Sequence, residues 1–466
     1  MNNDQTELMS APLNLVKKYD RAGPRYTSYP TVPVWSDAVG AEQYIAALKA
    51  ASSKVEQPLS VYIHLPFCEK RCYFCACNVF IPRQRSHITD YLTALLKEID
   101  RIADLLQNRN KVIQLHFGGG TPTYLSVLEF AQVLDAIERR FELLDNAEVS
   151  IEIDPRVTTS EHLQFLLQRN FNRISMGVQD LNEEVQKAIG RNQPYQITKK
   201  CINSCRETGF TNINFDLIYG LPQQTLSGFK ETILKTIELR PDRLAVYSFA
   251  YLPELKLHQR RIKQEQLPDP HTKYLFSKIA YELFVSNGYH FIGMDHFSTP
   301  NDELTVAQRE GRLSRNFMGY TVHKAPDLIG IGTSAIGYVD KTYVQNSSKF
   351  ENYIAAVESG SFATNRGLKL SEDDLIREYA ITSIMCNLVL HKDELNGRFH
   401  IDFNEYFVSE LSELATFIDD KLLTHDNNSL RVTELGRGFV RNVAMVFDAY
   451  LKKSSTDRPL TFSRTI

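Results

Sequence analysis

Apolar, β-branched runs recur along the first half of the chain, separated by intervals long enough to hold a helix. Six stand out: Leu59 to Leu65, Val112 to Phe117, Val149 to Ile153, Arg173 to Val178, Ile213 to Ile218 and Leu244 to Phe249. This alternation predicts repeated βα units and a parallel sheet. Each run ends in a loop with functional chemistry: a cysteine cluster, Gly118 to Tyr124, Glu152 to Arg156, Gln179-Asp180, Gly220-Leu-Pro and Tyr251-Leu-Pro. In a parallel β/α barrel the chemistry sits at the strand C-terminal ends, so these loops are expected to converge on one mouth. Six units suggest an incomplete barrel, whose open side would admit a substrate larger than a metabolite of a few atoms. Two further strand-like runs follow, Tyr289 to Met294 and Leu328 to Gly332. Beyond about residue 360 the period becomes helical, with apolar residues at three- and four-residue steps in Glu372 to Leu390 and Phe403 to Leu423.

At 466 residues the chain is too long for one ordinary core, and 43% hydrophobic content suffices for a large domain with a smaller attachment. The formal net charge of -3 gives no electrostatic case for a nucleic-acid or anionic-membrane partner. Lys421 to Val443 reads as helix, turn, short strand and helix, which resembles a winged helix. Residues 391–450 nevertheless carry six Lys or Arg against eleven Asp or Glu, which argues against DNA and for a helical cap. The first ten residues are polar, and no run of 18 or more apolar residues occurs. The expectation is a cytoplasmic monomer with no membrane insertion, its thiols kept reduced.

Four of the seven cysteines, Cys68, Cys72, Cys75 and Cys77, lie within ten residues. The first three carry the spacing C-x3-C-x2-C directly after an apolar run. Three thiolates on one short loop can hold three irons of a [4Fe-4S] cube and leave the fourth iron open to a small molecule. Zinc competes, with Cys77 as a fourth thiolate, but structural zinc sites usually pair two separated knuckles. A disulfide fits poorly with an odd cysteine count. Cys201 and Cys205, four apart on a helical stretch, and Cys386 beside Met385 read as core.

An open iron beside a strand end resembles the radical S-adenosylmethionine (SAM) enzymes. With Tyr62, His64, the continuation through Cys77 and the segment Lys18 to Thr31, the chain resembles the oxygen-independent coproporphyrinogen III oxidases within that superfamily. The likeness extends through Gly293 to Gly311 and Arg315 to Tyr320. It implies an α/β fold: an incomplete (β/α)6 TIM-like barrel of radical SAM type, with an N-terminal arm and a C-terminal mainly helical domain. The expected divisions are an arm over 1–54, a barrel with extensions over 55–355 and a cap over 356–466.

The resemblance also implies chemistry. One [4Fe-4S] cluster sits on Cys68, Cys72 and Cys75, and SAM binds, in two molecules. Radical abstraction of hydrogen turns two propionates of coproporphyrinogen III into vinyl groups. A flavodoxin or ferredoxin would donate the electron. SAM contacts carried over from the family are Tyr62, Phe74, Gly119, Gly120, Thr121, Glu152, Gln179, Arg191, Asp216, Ala250 and Ile336. Glycines in Gly118-Gly-Gly-Thr-Pro let the backbone approach a ligand closely, although a bare tight turn is the alternative. Arg191 and Asp216 could equally be ordinary salt-bridge residues. Cys77 and Tyr62 are the catalytic candidates. The run Gly330 to Gly337 lacks the G-x-G-x-x-G spacing of a dinucleotide site. For substrate carboxylates, Arg309, Arg312 and Arg315 recur every three residues and would line one side of a helix. A solvated face is the alternative. Arg21 and Arg25, with Tyr26 and Tyr29, form an arm able to fold over an anionic macrocycle.

Overall fold

The structure, a computed structural model, describes residues 13–457 with 462, 464 and 465. The polar first ten residues lie outside them. Contacts divide the chain into two units, and the expected consecutive segments are interleaved. One unit comprises Ser36–Ser277 and His323–Lys369; the other comprises the segment up to Trp35, Lys278–Val322 and the segment from Leu370.

In the first unit all six expected runs are strands: β1 (Leu59–Leu65), β2 (Lys111–Gly119), β3 (Glu142–Ile153), β4 (Arg173–Gln179), β5 (Ile213–Tyr219) and β6 (Arg243–Ser248). They pair in parallel and in sequence order. The other side of β1 is taken by β7 (Asp327–Ile331), so β1 does not close on β6. Three antiparallel strands extend that side: β8 (Ile336–Val339), β9 (Thr342–Asn346) and β10 (Thr364–Lys369). The fold is thus a partial parallel α/β sheet, extended on one side by antiparallel strands. Helices return the chain between strands, and several start on side-chain caps such as Ser126 with Glu129 and Thr159 with His162.

Successive residues of a strand face opposite sides, and here the two sides differ sharply. One carries Val61, Ile63, Leu115, Phe117, Ile151, Met176 and Phe215, all essentially fully buried. It packs against helices, as in the 5.0 Å contact of Phe117 with Phe130. The other side is polar from strand to strand. Its lower row runs from Ser60 through Gln114 to Glu148 by hydrogen bonds of 3.0 Å each, then to Arg173 at 2.9 Å. The strand from β7 is anchored by Arg109, wholly buried, which pairs with Asp327 at 2.6 Å and donates to the carbonyls of Gln57 and Ala51.

In the second unit, helix Glu372–Asn387 and helix Val408–Asp419 flank a three-stranded antiparallel sheet of Val389–His391, Ser429–Val432 and Leu423–His425. Around 421–443 the expected opening helix is instead the strand Leu423–His425, paired in a hairpin with Ser429–Val432, while the expected short strand and closing helix, Val440–Met445, are present. The arm is part of this core: Tyr26 donates to Asp448 at 3.0 Å and Tyr29 accepts from the Ala449 amide at 3.1 Å. No helix of the described residues is long and apolar enough to cross a membrane.

Candidate active site

The strand ends of the first unit deliver the cysteine loop, the triple-glycine loop and Glu152 to one place. Gly120 N–H donates to the Leu65 carbonyl at 2.8 Å and Thr121 N–H to the Phe67 carbonyl at 2.7 Å, laying the second loop directly on the first. The glycines are required by this contact. A Cβ on Gly120 would stand 2.6 Å from Phe67 O, and one on Gly119, whose φ is +109°, 2.4 Å from the His64 ring. His64 cannot easily give way. Its Nε2 donates to Asn78 O at 2.9 Å, which leaves Nδ1 to accept from the Tyr62 hydroxyl at 3.0 Å. Burial lowers its pKa, in keeping with that neutral ring.

Cys68 Sγ lies 3.5 Å from Thr121 Oγ1, and burial pushes its thiol up to about 12. Cys72 Sγ lies 3.9 Å from Arg156 Nη2 and 3.8 Å from Arg191 Nη1. Both guanidiniums are held by Asp154, at 2.6 Å and 3.2 Å. The hydrogen bond from Cys77 lowers Cys75, to about 7, and raises Cys77 well above its ordinary value. No three of the four cysteine sulfurs come within 4.8 Å of one another. On tetrahedral zinc with bonds of about 2.3 Å they would stand roughly 3.8 Å apart. Soft thiolates at wider spacing, with two cations beside one of them, suit an anionic iron-sulfur cube better.

Glu152 Oε2 accepts from the Gly119 amide at 3.0 Å, and its Oε1 lies 3.6 Å from His116 Nε2. Burial acts to raise the Glu152 carboxyl, but His116 and the Gly119 amide outweigh it and hold the group below its usual range. His116 is fixed in turn by Ser150 at 2.7 Å and stacks on Tyr62 with ring centroids 5.9 Å apart. The polar row continues to Asp216, which accepts from Ser175 at 3.1 Å and Asn214 at 2.9 Å; burial, with the charge of Glu152, pushes it up to about 6. Gln179 ends β4 with φ +68°, and Arg191 donates to the Gly177 carbonyl at 2.8 Å. Gln259, fully buried, bridges the carbonyls of Phe74 at 3.0 Å and Ala250 at 3.2 Å. Ile336 packs its backbone against Gly330, the neighbour of Tyr62 in the sheet.

The expected SAM-contact residues of the first unit thus line the inner face and rim of one sheet. Asp154 lies just beyond the strand, which stops at Ile153, and its carboxylate serves Arg156 and Arg191. Among residues that sequence reasoning missed are His116 and Ser150, which position Glu152, and Arg156. Alternating polar positions in Gln114, His116, Glu148, Ser150 and Glu152 were the available signal.

The arginine triplet does not share a helix face. The helix Glu303–Arg309 stops at once, Gly311 adopts φ +70°, and Arg315 lies in the hairpin strand Ser314–Asn316. Arg312 is an exposed partner of Glu310. Arg315 lies 4.6 Å over the Tyr320 ring, and its Nε and Nη1 are buried without a hydrogen bond among the described residues. On the arm, Arg25 pairs with Asp295 and Arg21 is exposed. Tyr26 and Tyr29 are core residues, not free to fold over a ligand, because their hydroxyls are engaged by Asp448 and the Ala449 amide.

Comparison with known proteins agrees with this geometry. The radical SAM superfamily matches residues 62–235 and the HemN C-terminal domain matches residues 370–439. Oxygen-independent coproporphyrinogen III oxidase of Escherichia coli is 43% identical over 454 residues, 97% of this chain and 98% of that protein. The Pseudomonas aeruginosa protein of that name is 41% identical over 455 residues, again 97% and 98%. The solved coproporphyrinogen III oxidase (HemN) from Escherichia coli, a radical SAM enzyme, superposes with a TM-score of 0.90 at 42% identity, covering 94% of this chain and 99% of that one.

Proposed function

The chain belongs to the oxygen-independent coproporphyrinogen III oxidases of the radical SAM superfamily, and on that premise we propose that it converts two propionates of coproporphyrinogen III to vinyl groups, yielding protoporphyrinogen IX for haem. The observation that carries the reading is the direct stacking of the triple-glycine loop, with Glu152 bonded to it, on the loop of Cys68, Cys72 and Cys75. Cys68, Cys72 and Cys75 would hold a [4Fe-4S] cluster, which would supply the electron for reductive cleavage of SAM and so the radical chemistry at the propionate β-carbon; each vinyl group formed would also release carbon dioxide and one electron, the latter to a separate acceptor.

The chain's own residues bind and orient. Glu152, ionised and fixed by His116 and Gly119, offers an acceptor to the ammonium or hydroxyls of SAM. Tyr62, Phe74, Gly120 and Thr121 complete that place, and Gln179, Arg191, Asp216, Ala250 and Ile336 extend it far enough for a second SAM. Cys77 stands solvent-exposed at the rim, one residue from Cys75, where a substrate radical could meet it. Among the cationic candidates for propionates, Arg315 has the best support, because two of its donors are buried without acceptors, an arrangement that costs roughly 1–3 kcal/mol per group until a carboxylate arrives. Arg309, Arg312, Arg21 and Arg25 are secondary. The electron would come from a flavodoxin or ferredoxin, and the protein would work as a cytoplasmic monomer. Anaerobic incubation of the reconstituted protein with reductant, SAM and coproporphyrinogen III tests the proposal by mass spectrometry of the tetrapyrroles. Two successive decarboxylations are expected; SAM cleavage with unchanged tetrapyrrole mass contradicts it.

A further inference from the structure

The cysteine loop has a second, outer side. The turn Leu257–Arg261 is tied to it: His258 Nε2 donates to the Cys75 carbonyl at 2.7 Å, Gln259 to the Phe74 carbonyl at 3.0 Å, and the Arg261 guanidinium lies 5.2 Å over the Tyr73 ring. Exposed on and just before this turn are Leu257 and Leu255, at 64% and 69%, two apolar side chains close together in the sequence. Cations flank them in the sequence, one of which, Arg260, pairs with Glu254 at 2.9 Å. Lys256, Arg260, Arg261 and Lys263 face one acid, Glu254, within 254–263, and Lys70 and Arg71 face one acid, Glu69, on the cysteine loop. The chain as a whole is net negative, so the excess is local.

From this arrangement we propose that the outer face formed by residues 69–71 and 254–263 is the docking surface for a small acidic redox protein that delivers the electron to the cluster. The inference rests on the radical SAM reading. Electron transfer slows steeply with distance, and this surface reaches a cluster-ligand carbonyl through one side chain. Exposed leucines flanked by cations suit a transient encounter, which needs little buried area. Its charge would steer an anionic partner. The donor gives up one electron per encounter, and no proton or group is transferred at this surface.

The test uses reconstituted holoprotein and compares SAM cleavage driven by reduced flavodoxin, an acidic FMN protein, with cleavage driven by dithionite. Variants are Arg260→Glu/Lys263→Glu and Leu255→Ser/Leu257→Ser. Lys200→Glu/Lys230→Glu is the control, making the same charge change on exposed positions of other helices. At limiting flavodoxin the charge variant is expected to lose about tenfold in rate and most of its salt dependence, while its dithionite rate and the control hold. The leucine variant should lose flavodoxin-driven rate selectively. Unchanged flavodoxin rates in both patch variants overturn the proposal. So does an equal fall with dithionite, or a raised KM for coproporphyrinogen III under dithionite, which would assign the surface to substrate. Absence of SAM cleavage by the unaltered protein under either reductant refutes instead the radical SAM reading beneath it.

Discussion

Gly119→Ala is expected to be among the most damaging single-methyl additions in the barrel unit. Its φ of +109° is a conformation that a residue with a Cβ adopts at a cost of about 1–3 kcal/mol. The added carbon would also meet His64 Cε1 at 2.4 Å and Nδ1 at 2.5 Å. His64 can move only by breaking its bonds to Tyr62 and Asn78, each worth about 1 kcal/mol net. Together these give about 3–5 kcal/mol, in the range of exceptional single substitutions. Urea unfolding followed by circular dichroism reads the loss, and SAM binding should fall with it, because the Gly119 amide would leave Glu152. A double-mutant cycle locates the cause. In a His64→Ala background the steric part disappears and only about 1–3 kcal/mol remains. A loss below about 1 kcal/mol, or the same loss in both backgrounds, would refute the reasoning that His64 dictates glycine here.

Cys77→Ser should keep iron, sulfide and SAM binding yet form little protoporphyrinogen, whereas Cys72→Ala should lose the metal; iron analysis and product mass of the two variants side by side decide, and full turnover in Cys77→Ser removes Cys77 from catalysis. Arg315→Lys should raise KM for coproporphyrinogen III roughly 10- to 100-fold, since a charge-assisted pair is worth about 1.5–3 kcal/mol, while uncoupled SAM cleavage persists; an unchanged KM argues against it as an anchor. Asp216 has a folded pKa near 6, raised by burial and by Glu152 above the ordinary 3.8. The folded state therefore holds that proton more tightly, and the protein loses stability as pH rises from about 4 to about 6, then stays level. Asp216→Asn removes that loss, so its stability relative to the parent should climb across this window in urea titrations; a flat difference contradicts it. Arg109→Met leaves Asp327 buried without its partner and should cost roughly 3–5 kcal/mol of unfolding free energy; a loss under about 1 kcal/mol would show that the pair is dispensable.

Much of the barrel was legible because each strand is an apolar run closed by a loop with its own chemical character. β1 to β6 stand where periodicity placed them, and the cysteine and glycine loops meet as strand-end logic requires. The arginine triplet was misread because spacing cannot show where a helix stops. The reversal depends on Gly311 at positive φ and on pairing of Arg315 with Tyr320 across a hairpin. Tyr26 and Tyr29 were misread for a related reason. Tyrosines beside cations fit a flexible clasp as well as a docked segment, and only their hydrogen bonds to residues more than four hundred positions away distinguish the two.

The polar inner face explains why this sheet stays incomplete. Closed eight-stranded barrels fill their interior with layers of branched apolar side chains, so closure itself buries hydrophobic area. Here the inward positions are Tyr62, His116, Ser150, Glu152, Ser175 and Asp216, tied together by hydrogen bonds between neighbouring strands. Drawing such a row into a tight cylinder would gain little from apolar burial and would crowd two carboxylates, Glu152 and Asp216, whose mutual repulsion already raises the latter. A cationic ligand relieves that repulsion. SAM, with its sulfonium and ammonium charges, is such a ligand, so its binding should lower the Asp216 pKa below about 6 and strengthen as pH rises toward about 6, levelling above it. The same residues that keep the apo sheet from closing would thereby favour the ligand that fills it.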